Sequence, residues 1–104
     1  MTNTALFVRL EAKKEKELEV EDFLRQGLRI VEHEPNTITW YACRLGPTTF
    51  GIFDTFPDNQ GREAHLSGEI GKNLKKRTAE LFSQPPKIEK IDILAAKMPE
   101  LEHH

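Results

Sequence analysis

From Val20 to Val31 the apolar residues Val20, Phe23, Leu24, Gly27, Leu28 and Val31 follow the i, i+3, i+4, i+7, i+8, i+11 spacing of one helical face. A face of that kind must be buried, so the segments on either side have to supply something to bury it against. The pattern predicts a helix over about residues 14–34. Its early turns carry Glu15, Glu17, Glu19, Glu21 and Asp22 and its later ones Arg25 and Arg29, which complements the helix dipole. Glu34-Pro35-Asn36 then stops it, because the residue before a proline resists helical geometry.

The flanking segments read as strands. Thr4-Ala5-Leu6-Phe7-Val8-Arg9-Leu10 is short, apolar on both of its faces, and closed by the charged run from Lys13 to Glu17. After the helix, Thr37 to Arg44 and Thr49 to Phe56 are β-branched and aromatic, and Leu45-Gly46-Pro47-Thr48 between them makes a hairpin. Alternation puts Phe50, Ile52, Asp54 and Phe56 on one face of the second hairpin strand and Thr49, Gly51, Phe53 and Thr55 on the other.

Asp58 is placed to cap a second helical region carrying Leu66, Ile70, Leu74 and Leu81. Gly68 and Gly71 predict a bend or break in it near Ser67 to Gly71. Gln84-Pro85-Pro86 ends the region, and Ile88 to Ala96 reads as a last strand with Ile91 and Ile93 on one face.

The resulting order, βαββαβ, is the ferredoxin-like arrangement of the α+β class: a four-stranded antiparallel sheet with both helical regions on one face. It leaves a bare sheet face that is not cleanly polar, since Ala5 and Phe7 oppose Leu6, Val8 and Leu10, and Phe53 opposes Phe50 and Ile52. A contiguous apolar face predicts a homodimer formed through the sheet faces; the alternative is a monomer with scattered exposed apolar residues. A single domain over residues 1–98 is expected, with 99–104 a tail whose Leu101-Glu102-His103-His104 resembles the remnant of a purification tag.

Composition removes several function classes. With 15 Lys and Arg against 17 Asp and Glu, the net charge is −2 and no basic stripe is available for a phosphate backbone, so nucleic acid is not expected as a partner. No stretch approaches the roughly 20 apolar residues of a membrane span, and the N-terminal residues lack the layout of a secretory signal, so a cytoplasmic protein is expected. A single cysteine, Cys43, has no internal disulfide partner, and with only His33 and His65 outside the tail it cannot build a structural zinc site from soft ligands. The glycines lack the spacing of a dinucleotide or Walker loop, which leaves a bound nucleotide cofactor unsupported.

The run Phe50-Gly51-Ile52-Phe53-Asp54-Thr55-Phe56-Pro57-Asp58, followed by Ala64-His65-Leu66, resembles the antibiotic biosynthesis monooxygenase family of dimeric α+β barrels. In that family a strand ends in an acidic residue, a spacer and an aromatic, and the next helix carries a histidine followed by an aliphatic; Asp54, Phe56 and His65 stand at those places. The similarity extends to the first strand with its Lys13-Lys14 turn, the acidic first helix and Glu34-Pro35-Asn36-Thr37. It implies a small dimer with a ligand pocket between helices and sheet in each protomer. The implied activity is oxidation of a small aromatic or quinol-like substrate with dioxygen, without a bound metal or flavin. The haem-degrading branch carries an asparagine on the first strand and a tryptophan on the second helix; Val8 and His65 occupy those places, which disfavours haem degradation.

Within that frame His65 is the candidate catalytic base, since a neutral imidazole can take a proton from a phenol or quinol near neutral pH. Asp54 is the candidate group to orient it. The alternative is that His65 only fastens helix to sheet by bonding Asp54 or a backbone carbonyl. Trp40, Phe50 and Phe56 are the candidate substrate-binding residues, with plain core packing as the alternative for Trp40; Tyr41 would offer a phenol on the opposite strand face. Arg9 and Arg44 are expected to form structural pairs. Cys43 is expected to be a buried inert thiol, Ser67 lacks a nucleophile-elbow setting, and His33 is expected to be solvated at the helix end. A non-catalytic dimer that binds or senses a small hydrophobic metabolite is the competing function.

Overall fold

Strand β1 (Thr4–Glu11) occupies an inner position, paired antiparallel on one side with β3 (Thr49–Phe56) and on the other with β4 (Lys87–Asp92), so both of its backbone edges are hydrogen-bonded. Strand β2 (Thr39–Arg44) adds to the outer side of β3, giving the antiparallel order β2-β3-β1-β4. Helix α1 (Glu17–Val31) joins β1 to β2, and α2 (Asn59–Leu66) and α3 (Glu69–Leu81) join β3 to β4. The structure, a computed structural model, describes residues 3–99; the expected tag remnant, Leu101 to His104, lies outside the described residues.

Register fixes the two faces. Leu6 lies beside Asp54, Val8 beside Ile52 and Leu10 beside Phe50, all on the helix side. With Val20 and Leu24 of α1, Leu81 of α3 and the following Phe82, residues from these strands form the core. The opposite face pairs Phe7 with Phe53 and Tyr41 with Phe53, and Tyr41 is 57% exposed there. No helix among the described residues is long and apolar enough to cross a membrane.

Three boundaries differ from the sequence expectation. The first helix is shorter than residues 14–34, because Glu15 takes a positive φ of 69° in the turn that precedes it. Strand β2 begins at Thr39 rather than Thr37, the Thr37 side chain being drawn instead to Glu34. The last strand ends at Asp92, where β1 no longer offers a partner: Asp92 already lies opposite Thr4, and residues 93–99 have no regular structure.

Two expected local devices are present. Asp58 accepts a hydrogen bond from the Gly61 backbone N–H at 2.8 Å, capping α2. The second helical region breaks at Ser67-Gly68, and a Cβ on Gly71 would stand 2.1 Å from the Leu66 carbonyl oxygen, so only glycine lets α3 begin this close to the end of α2.

Candidate functional site

Between the helix side of the sheet and the three helices lies a cavity of about 390 Å³. Its walls are apolar: Leu6, Val8, Ile52 and Ile88 from the sheet, and Phe23, Leu66, Ile70 and Leu74 from the helices. Five polar side chains line it as well: Asp54, His65 and Trp40 from β3, α2 and β2, and Lys75 and Thr78 from α3. Trp40 is the register partner of Asp54, so adjacent strands deliver both to the same patch. The indole packs beneath Gly27 of α1, where a Cβ would rest on the Trp40 ring at an ordinary 3.5 Å but come within 2.7 Å of Ile70 Cδ1.

His65 sits between two carboxylates. Its Nε2 lies 2.8 Å from Asp54 Oδ2, and its Nδ1 lies 2.6 Å from Glu34 Oε1. Nε2 is thus within ion-pair distance of Asp54, whose other oxygen, Oδ1, has no donor. Thr37 Oγ1 donates to the same Glu34 oxygen at 2.8 Å, fixing that carboxylate from behind. The side chains of Asp54, His65 and Glu34 are 1%, 8% and 21% exposed, so the line of three runs from the interior outward.

Burial pushes the His65 imidazole down, but hydrogen bonding and charge from Asp54 and Glu34 outweigh it, and the net shift is upward from 6.5. Burial also raises the Asp54 carboxyl above its ordinary 3.8, against the opposing pull of His65. Both shifts hold protons on the His65–Asp54 pair more tightly than on the free groups. Trp40 Nε1 is likewise buried without a hydrogen-bond partner. The cavity wall thus carries Trp40 Nε1 and Asp54 Oδ1 without hydrogen-bond partners, beside Lys75 and Thr78. The three-residue line does not converge on a point, and no group of three or more His, Cys, Asp or Glu placed to hold a metal ion occurs among the described residues.

The structure brings Asp54, His65 and Trp40 together and leaves Phe50 and Phe56 outside the cavity wall. Both phenylalanines are on the expected strand face, but β3 carries them past the two ends of the cavity. Phe50 is buried opposite Leu10 with the Arg44 guanidinium 4.7 Å above its ring, and it borders a separate groove along β2. Phe56 is fully buried and packs its ring against the back of His65, centroids 5.2 Å apart. Arg44 pairs with Glu21 at 2.8 Å, and His33 bonds the Arg29 carbonyl in an exposed setting. Cys43, expected to be buried, is exposed, because its position on the edge strand β2 points it to the helix-free face. Ser67 caps α2 by donating to the Glu63 carbonyl.

Glu34 was not foreseen as a site residue. Before Pro35 it reads only as a helix stop, and the sole signal that could have found it is that Glu34-Pro35-Asn36-Thr37 belongs to the stretch carrying the family resemblance.

No family model and no curated protein matches the sequence. Among solved structures, a protein of unknown function from Nitrosomonas europaea is 50% identical, with 96% of this chain and 97% of that one covered and a TM-score of 0.93. A second Nitrosomonas europaea protein, described as a candidate antibiotic biosynthesis monooxygenase, is 15% identical over 90% of this chain and 93% of that one, with a TM-score of 0.78. A candidate antibiotic biosynthesis monooxygenase from Bacteriodes thetaiotaomicron is 20% identical over 98% of this chain and 96% of that one, with a TM-score of 0.69. The first likeness is one of family; the other two are likenesses of fold.

Proposed function

We propose that this chain, which belongs to one family with the Nitrosomonas europaea protein of unknown function and has the fold of the antibiotic biosynthesis monooxygenase structures, is itself a monooxygenase of that type acting on a small aromatic or quinol-like molecule. The observation that carries the proposal is the buried Asp54–His65 pair at the wall of an apolar cavity of about 390 Å³. With its two nitrogens 2.6 and 2.8 Å from carboxylate oxygens, His65, expected from the sequence to be the base, instead holds Asp54 in place, and the proton of a bound hydroxyl goes to Asp54. Trp40 Nε1 is free to donate to a carbonyl oxygen elsewhere on the same ligand.

Ionising a phenol or enol makes the ring electron-rich enough to reduce dioxygen directly. For a ring CH2 that becomes a carbonyl, one oxygen atom enters the ring, the other leaves as water, and the substrate supplies the electrons. Asp54 stores the proton removed at the start and returns it to the departing oxygen. The apolar walls exclude water while the anion is exposed to oxygen.

Oxygen uptake measured with a panel of quinols and naphthols tests the proposal. Consumption by the wild type that falls at least about tenfold in His65→Ala and in Asp54→Asn is the expected result, within the usual range for a positioned acid or base. Uptake equal in all three proteins overturns it. A second reading, a carrier or sensor of a small hydrophobic metabolite, is favoured by one observation: both imidazole nitrogens are already satisfied before any ligand arrives. Tight binding of panel members without oxygen uptake is its signature.

The homodimer belongs to the same proposal. Its support is the helix-free face, where Phe7, Phe53, Tyr41 and Ile91 are left partly or largely open on a single chain.

A further inference from the structure

His65 borders two spaces at once: the buried cavity on its Asp54 side and a separate outer groove of about 310 Å³, lined by Glu34, Asn36, Thr37 and Gly68, on the other. The imidazole is thus the partition between them, with one ring nitrogen turned to a carboxylate of each space, at 2.8 Å and 2.6 Å.

We propose that Glu34 is the positioning residue that completes this site: it holds the Nδ1 proton of His65, keeps Nε2 on Asp54, and links the protonation of the apolar cavity to the outer groove. The proposal rests on the assignment of Asp54 as the group that meets the ligand. Asp54 meets His65 Nε2 at 2.8 Å, and His65 Nδ1 in turn meets Glu34 at 2.6 Å. When the ligand O–H breaks and an O–H forms on Asp54, the matching step is cleavage of the His65 Nδ1–H bond and formation of an O–H on Glu34. The charge of the line of residues plus ligand is the same before and after. Release from Glu34 to water in the groove, and its reversal, complete the exchange without any change of oxidation state.

The surroundings favour that route. Thr37 and His65 share one Glu34 oxygen, and the other lies near Gly68, where a Cβ would be 3.6 Å from it. The titratable and charged groups facing His65 are Asp54 from β3 and Glu34 from the segment after α1; His33 and Glu69 border the outer groove, and Lys75 of α3 borders the cavity.

The test is an NMR titration of the His65 ring in the full-length wild type, Glu34→Gln and Glu34→Asp. Loss of the second carboxylate is expected to lower the His65 midpoint by about one pH unit, a tenfold change in proton affinity. Glu34→Asp, which keeps the charge but withdraws it by one methylene, is expected to fall between. A midpoint unchanged in Glu34→Gln, or in Glu34→Asp should the first variant fail to fold, overturns the proposal, because a Glu34 that merely ends a helix has no hold on the imidazole. Oxygen uptake is scored separately: its absence in the wild type counts against the monooxygenase assignment, while the titration still decides the part played by Glu34.

Discussion

Trp40 and Asp54 face each other across the β2–β3 ladder, and each leaves a buried polar atom without an aligned hydrogen-bond partner at the wall of the same cavity. An unpaired buried donor or acceptor costs about 1–3 kcal/mol, a cost that the ligand proposed above would offset by bonding both.

Trp40→Phe separates binding from folding. It removes the unpaired donor while keeping an aromatic ring on the strand, so the lost packing is partly offset by relief of the unsatisfied N–H. The urea midpoint is expected to move little. Affinity for carbonyl-bearing naphthols is expected to drop about tenfold by calorimetry, the worth of one hydrogen bond of about 1.4 kcal/mol. Equal affinity for both proteins would show that Nε1 has no ligand to meet.

The His65 line predicts the sign of the pH dependence of stability. A group whose pKa is raised on folding stabilises fully below its ordinary value, 6.5 for His65, and that stability is lost as pH rises through the raised value. Asp54, raised by burial, pulls in the same direction once pH exceeds its ordinary 3.8. Unfolding free energy from urea titrations is therefore expected to fall as pH rises above 6.5, and His65→Gln is expected to flatten that slope. A wild-type curve that is level or rising over this range, or a variant with the same slope, contradicts the upward shift of His65.

Two glycines rank differently for different physical reasons. A Cβ on Gly27 would come within 2.7 Å of Ile70 Cδ1, the movable end of a side chain, whereas on Gly71 it would meet the Leu66 carbonyl oxygen at 2.1 Å. Overpacking costs about 1–3 kcal/mol and sometimes more, and alanine recovers about 1 kcal/mol of helix propensity. Gly27→Ala is expected to cost at most about 2 kcal/mol and Gly71→Ala clearly more, by denaturant melts. The reverse order would mean that the α2–α3 junction gives way more easily than the α1–α3 contact.

Phe53 lies in the middle of the helix-free face, opposite Phe7 on one side and Tyr41 on the other. If that face joins two copies, the wild type sediments as a dimer and Phe53→Arg as a folded monomer, since an unpaired charge at the centre of an apolar interface costs several kcal/mol. A wild type that is monomeric at high micromolar concentration rules out the shared-sheet assembly.

Periodicity alone determined the architecture here. Helical spacing from Val20 to Val31, alternation from Phe50 to Phe56 and the Asp58 cap are local signals, and each residue that carries them needs only its near neighbours to be read. Those signals also grouped Asp54 with Phe50, Ile52 and Phe56 on one strand face and placed a break near Ser67 to Gly71, while the structure decided that this face meets the helices. Depth along a strand is another matter: nothing in the alternation says that Phe50 and Phe56 pass the ends of the cavity while Asp54 faces its wall, because that depends on where three helices cross the sheet. The partner of His65 on its outer side is the extreme case. Glu34 comes 31 residues earlier, in a turn whose backbone pattern says only that a helix stops, and a carboxylate in a turn reaches its charge partner through the packing of α2 on the sheet, which no local sequence pattern encodes.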